Sequence, residues 1–155
     1  MLKIPTRVRY SIRLMAYLAD HARPQQPVKL KSVAKSQNLS LRYLEQLVVH
    51  LKGAGLVKSK SGKRGGYYLA RDAKDISVGQ VVEAAVGPIR VMECLDPEDG
   101  CRFKDVCAAR RMWGLVSARI SDVLYDYTIA DMSEQKMRKK LGEGEAGDDT
   151  EPLRC

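Results

Sequence analysis

The most constraining feature is the run from Ser40 to Leu51. Ser40 is a good helix N-cap, and Leu41, Leu44, Leu47, Val48 and Leu51 follow at three- and four-residue spacing. Such a stripe demands a core on one side and leaves Arg42, Tyr43, Glu45, Gln46, Val49 and His50 facing away. Gly53 and Gly55 end the helix. A shorter helix bearing Leu30, Val33 and Ala34 precedes it, closed by the polar turn Ser36-Gln37-Asn38. The small Ala34 permits the close crossing of a helix-turn-helix.

Downstream, Leu56 to Lys60 and Tyr67 to Ala70 read as two short strands around the glycine-rich connection Ser61–Gly66. Lys58, Lys60, Lys63 and Arg64 crowd the tip of this hairpin. A helix-turn-helix followed by a basic hairpin predicts a winged helix with double-stranded DNA as its partner. The plainer alternative is a solvated helix pair with a charged turn.

Charge placement favours the first alternative. Of the 155 residues, 1–74 hold 16 lysines and arginines against 3 acids, and the remainder holds 11 against 16. A basic half that coincides with the wing is an electrostatic footprint for a phosphate backbone. No apolar run approaches a membrane span, and Met1 to Pro5 lack a signal peptide's apolar core. The expected setting is the cytoplasm, where cysteines serve metals or redox chemistry more often than structural disulfides.

The fold class predicted is mainly α with a small β-hairpin: a winged helix-turn-helix domain over residues 1–87, a cysteine-containing loop over 88–102, a long dimerisation helix over 103–132 and a disordered tail over 133–155. Thr6 is placed to cap a first helix with Val8, Ile12, Met15, Leu18 and Ala19 inward. Its Arg7, Arg9 and Arg13 either approach DNA or form a solvated basic face. Ser77 with Gln80 makes a capping box, and Ile76 with Val81 a hydrophobic staple, for a short helix that stops at Gly87-Pro88. From Phe103 onward, Val106, Ala109, Trp113, Val116, Ile120, Val123 and Tyr127 alternate steps of three and four. That seam suits packing along another helix, hence a homodimer, with packing on its own domain as the alternative.

Cys94, Cys101 and Cys107 are separated by six and five intervening residues, with Cys155 remote in the tail. Zinc sites normally use Cys-x2-Cys pairs, which are missing. Wider spacing in a glycine-bearing loop suits an iron–sulfur cluster; a thiol redox sensor and incidental cysteines are the other readings. With only His21 and His50 as histidines and no phosphate-binding loop, no enzyme active site is visible.

These residues together resemble the winged-helix regulators typified by the iron–sulfur cluster regulator IscR and the nitric-oxide sensor NsrR. The matching stretches are Arg9-Tyr10, Leu39 to Leu47, Gly55 to Val57, Gly65 to Ala70, Ile76 to Val81 and the three cysteines, spanning about residues 1–132. The resemblance implies a dimeric transcription factor whose cluster, two-iron two-sulfur or four-iron four-sulfur, is held by Cys94, Cys101 and Cys107 near the dimer helix. It also implies that Glu45 helps discriminate DNA sites, with Tyr43 and Gln46 on the contacting face. Two departures stand out. Arg110 occupies the position of the histidine ligand of the IscR branch, and Val8 and Arg9 that of the NsrR aspartate, so the fourth ligand is unassigned; Glu93, Asp96, Glu98, Asp99 and Asp105 are nearby. Ser61 stands where the IscR branch has a wing arginine.

The residues expected to meet DNA are therefore Ser40, Arg42, Tyr43, Glu45 and Gln46 in a major groove, with Lys60, Lys63 and Arg64 on phosphates or the minor groove. A symmetric dimer predicts a pseudo-palindromic target. Cluster loss or oxidation is expected to move the 88–102 loop and so the spacing of the two reading heads. The rival readings are a cluster-free regulator of the same family and an electron-transfer or cluster-carrier protein with a basic docking face.

Overall fold

A computed structural model describes residues 4–99 and 101–132. The elements are α1 (Thr6–His21), α2 (Leu30–Gln37), α3 (Leu41–Gly53), β1 (Val57–Lys60), β2 (Gly66–Leu69), α4 (Val78–Val86) and α5 (Ala108–Asp126), with short 3-10 turns at Ala73–Asp75, Glu93–Leu95 and Ile129–Met132. Mainly helical architecture with one antiparallel hairpin is the class the sequence pattern predicts. No described helix is long and apolar enough to cross a membrane.

α1 lies at the centre of the core because Val8, Leu14, Met15 and Leu18 recur on one face, each 4% exposed or less. Thr6 is the first helical residue rather than the cap. Pro5 occupies the cap position at φ −56° and ψ 139°, a conformation its ring favours, so the helix begins immediately after it. α2 buries Leu30 and Val33 and ends where Asn38 turns left-handed at φ 50°. Ser40 Oγ accepts the Tyr43 amide at 3.1 Å, and α3 then sinks Leu44, Leu47, Val48 and Leu51 while Leu41 is half-buried.

The hairpin pairs Val57 with Leu69 through Lys60 with Gly66, leaving Ser61–Gly65 as the connection, one residue shorter than expected. Gly66 joins the strand because a third segment lies against it. Val28 exchanges two backbone hydrogen bonds with Tyr67, at 3.0 and 2.8 Å, and a Cβ on Gly66 would fall 2.5 Å from the Val28 carbonyl oxygen. The wing is thus tied to the residues that lead into α2.

The Ser77–Gln80 capping box is formed in full, and Ile76 and Val81 are both buried. α5 begins at Ala108, not near Phe103, and ends at Asp126. Residues 103–106 turn instead, the Phe103 carbonyl accepting from the Val106 and Cys107 amides, and Val106 is 77% exposed, off the expected seam. At the far end Tyr127 leaves the helix because its carbonyl receives the Val78 amide at 2.8 Å. Val78 opens α4, where a backbone N–H has no partner within the helix. The chain then re-enters the core: the Ile129 amide donates to the Ile76 carbonyl at 2.8 Å, and Ile129 is 2% exposed. Residues 133–155, with the expected tail and Cys155, lie outside the described residues.

Candidate nucleic-acid interface and cysteine segment

α3 turns its polar side fully outward. Arg42, Glu45, Gln46 and His50 are exposed, as is Ser40 at the cap, while Tyr43 is half-buried. Positions 42, 45, 46 and 49 share one face, and Val49 on it is 69% exposed. Tyr43 stands edge-on to Tyr10 of α1, ring centroids 5.8 Å apart at 85°. The Arg9 and Arg13 guanidinium carbons lie 4.9 and 5.5 Å from the Tyr10 centroid. The aromatic pair fixes how α1 crosses the start of α3, with cationic groups held beside it.

The basic side of α1 is partly committed within the fold. Arg13 donates to the Gln37 side chain and carbonyl at 3.0 and 3.1 Å, closing the end of α2, and Arg7 donates to the Ala85 carbonyl at 3.2 Å. Lys60, Lys63 and Arg64 are exposed at the wing, and Ser61 is exposed among them. Lys52 Nζ donates to Ser59 Oγ at 2.9 Å, joining the end of α3 to β1. The outer side of α3 and the wing tip are therefore two exposed elements joined by a fixed link. Neither Tyr10 nor Val28 was marked by periodicity; the Arg9-Tyr10 pair was the only sequence trace of the first, and the second left none.

The cysteines sit in the segment between α4 and α5. Cys94 lies in the Glu93–Leu95 turn, Cys101 in the following turn, and Cys107 is the N-cap of α5, its sulfur accepting the Arg110 amide at 3.4 Å. All three are half-buried and outside any disulfide. Their thiols are the donors that iron prefers, yet among the described residues no group of three or more His, Cys, Asp or Glu side chains is arranged to hold a metal ion. Chemically the trio suits a cluster, but the described residues of one chain do not bring a ligand set together. Arg110, at the position where the resemblance would have a histidine, has Nη1 buried without a hydrogen-bond partner one turn from Cys107. Of the nearby acids, Asp96 is occupied, pairing with Arg90 and accepting the Glu98 amide. Glu93, Glu98 and Asp105 are exposed and Asp99 half-buried.

On α5 only Ser117 is buried, although the helix is 19 residues long. Met112, Leu115 and Val123 are 45, 71 and 55% exposed, and Leu115, Val116, Ile120, Val123 and Leu124 line a shallow apolar groove. The expected seam is half-covered at Trp113, Val116 and Ile120 and open at Ala109 and Val123.

A capped reading helix with an exposed polar face, followed by a basic hairpin pinned to the same core, defines the class of winged-helix DNA-binding regulators. This chain belongs to the Rrf2 family of iron-dependent transcriptional regulators, whose family model matches residues 4–135. It is 37% identical over 131 residues to the protein rrf2 of Nitratidesulfovibrio vulgaris, covering 84% of this chain and 87% of that one. Among solved structures it is similar to the global cysteine regulator CymR of B. subtilis, with TM-score 0.69, 38% identity and coverage of 87% of this chain and 98% of that one. T. potens IscR is similar at TM-score 0.69 and 36% identity, covering 94% of this chain and 93% of the other. Its relatives are thus transcription regulators, and they include both IscR and CymR.

Proposed function

We propose that this protein is a homodimeric, sequence-specific transcriptional regulator that reads a pseudo-palindromic DNA site and senses iron–sulfur or redox status through Cys94, Cys101 and Cys107. Each protomer places α3 in a major groove: Arg42 and Gln46 suit base edges, Glu45 suits a cytosine amino group, and Ser40 and Tyr43 stand at the helix start beside the backbone. Lys60, Lys63 and Arg64 take phosphates or the minor groove. Two copies pair through the apolar stripe of α5 that the other described residues leave uncovered.

The observation that carries the sensing half is the placement of three unpaired, half-buried thiols on the segment that connects α4 to the start of α5. Cys94, Cys101 and Cys107 would hold an iron–sulfur cluster; when bound, such a group supplies one-electron redox chemistry and lability toward oxidants and nitric oxide. The residues of the chain do the rest. Cys107 presents its sulfur to the free amides of α5, which favour negative charge there. The joint with α4 passes any shift of the segment to the reading heads.

A second reading uses the same thiols without a metal. It is favoured by the fact that, among the described residues, no three His, Cys, Asp or Glu side chains are arranged to hold a metal ion, while all three cysteines are free thiols.

The deciding experiment is an absorption spectrum with iron and sulfide analysis on protein made without oxygen, alongside DNA binding by the triple Cys→Ser variant. Visible absorbance with stoichiometric iron and sulfide, and altered DNA binding by the variant, are expected. Colourless, iron-free protein whose binding responds to oxidation supports the thiol reading. Absence of both responses removes the sensing function, and absence of sequence-specific DNA binding removes the whole.

A further inference from the structure

The segment that carries Cys94 is fastened to α5 at defined points. Ser117 is one of two buried polar residues in the described core, and its Oγ accepts the Val91 backbone amide at 3.1 Å across 26 positions of sequence. About one turn nearer the helix start, Leu95 Cδ2 lies 3.9 Å from where a Cβ on Gly114 would stand. Flanking those contacts, Arg90 pairs with Asp96, closing the segment across its own base. The contacts run in order, Val91 on Ser117 and then Leu95 on Gly114, so the segment travels back along α5 toward Cys107.

We infer that Ser117 is a positioning residue for the sensing thiols, its hydroxyl holding Cys94 at a fixed place on α5. The inference rests on the reading of the cysteines given above. A serine inside a helix is usually solvated or bonded to its own backbone. Here the hydroxyl is buried and receives an amide from outside the helix, three residues before Cys94. Alanine would fill almost the same space and favour the helix more, so what the hydroxyl adds is the link to the segment. A change at Cys94 then reaches α5 through that bond rather than dissipating in a loose loop.

The test uses the full-length protein, reduced and cluster-free, with iodoacetamide labelling followed at each cysteine by mass spectrometry. In Ser117→Ala the rate at Cys94 is expected to rise about fivefold, the change in open population that loss of one ordinary hydrogen bond allows. Cys107, capped on the helix itself, should keep its rate, and Ser117→Thr should restore Cys94 to the wild-type value. An unchanged rate at Cys94, or an equal rise at Cys94 and Cys107, overturns the inference. If Ser117→Ala does not fold, hydrogen exchange in the wild type decides: a Val91 amide more protected than that of Met92 supports the link, and one no more protected refutes it. None of these readouts uses a cluster, so a protein that shows neither a cluster nor a DNA-binding response to oxidation would defeat the sensing reading while leaving the labelling result intact.

Discussion

Tyr125, near the end of α5, donates its hydroxyl hydrogen to the Glu83 carboxylate of α4 over 2.6 Å. Its ring lies across Gly79, so close that a Cβ there would stand 2.4 Å from Cδ2. With the Tyr127 carbonyl bonded to the Val78 amide, the last turn of α5 is attached to α4 by side chain and backbone together. The joint is specific, and substitutions can probe it.

The tyrosine proton reports on this contact. The hydrogen bond to Glu83, then burial, then the carboxylate charge all push the Tyr125 hydroxyl above its ordinary value of 10.0. A raised value in the folded state means the native protein holds this proton more tightly than the unfolded chain. The associated stability is complete below pH 10 and is lost as pH climbs from there through the folded value. Ultraviolet titration should find one of the seven tyrosines ionising later than an exposed one, and Glu83→Ala should return it toward the ordinary range.

Gly79→Ala should displace the Tyr125 ring, which is 42% exposed and can swing outward at the expense of its bond to Glu83. The expected cost is about 1–2 kcal/mol, a fall of several degrees in Tm with unchanged helix content. Paired with Tyr125→Ala, the two effects should be strongly non-additive, because the second substitution removes the obstacle that the first creates. Additive losses would mean that the glycine serves something else.

At the wing, Lys63→Ala should weaken binding to every DNA sequence alike and lower the slope of log affinity against log salt by about one. An unchanged slope, measured by titration at several salt concentrations, would remove Lys63 from the interface.

On α3 the signature differs. Gln46→Ala should relax preference at a single base position of each half-site, worth about 1–3 kcal/mol of discrimination, while leaving the salt slope intact. Binding-site selection with the wild type and variant separates the two behaviours.

Leu115→Glu places a charge on a side chain that is 71% exposed within one protomer. Protomer stability should change by no more than about 0.5 kcal/mol, as for other surface sites. Sedimentation should nevertheless show the dimer shifting to monomer, and affinity for a palindromic site should drop with it.

How far the residues announced this arrangement varies by element. α3 was legible because a cap and an apolar period of 3.6 agree, and the burial of Leu44, Leu47, Val48 and Leu51 follows that pattern. The exposed placement of Arg42, Glu45, Gln46, Lys60, Lys63 and Arg64 follows from the same pattern and from the hairpin register. The limits of α5 were not legible. Val106 keeps the seven-residue rhythm but lies in a turn, because the Cys107 sulfur takes the Arg110 amide and starts the helix there. Tyr127 keeps it too, but its carbonyl is taken by Val78, a partner 49 positions earlier that no local pattern reveals. Ser117 was invisible for a related reason: a lone serine in a helix carries no period, and its meaning comes from Val91.

Ile129 bears on the order in which the protein is made. A ribosome delivers the chain from its N-terminus, so α1 to α4 and the wing emerge before the cysteines, and Ile129 emerges after them. Because Ile129 fills the core beside Ile76, the DNA-reading half stays one side chain short of completion until all three thiols have left the tunnel. The last core position of the winged-helix half is therefore filled only after Cys94, Cys101 and Cys107 have been synthesised.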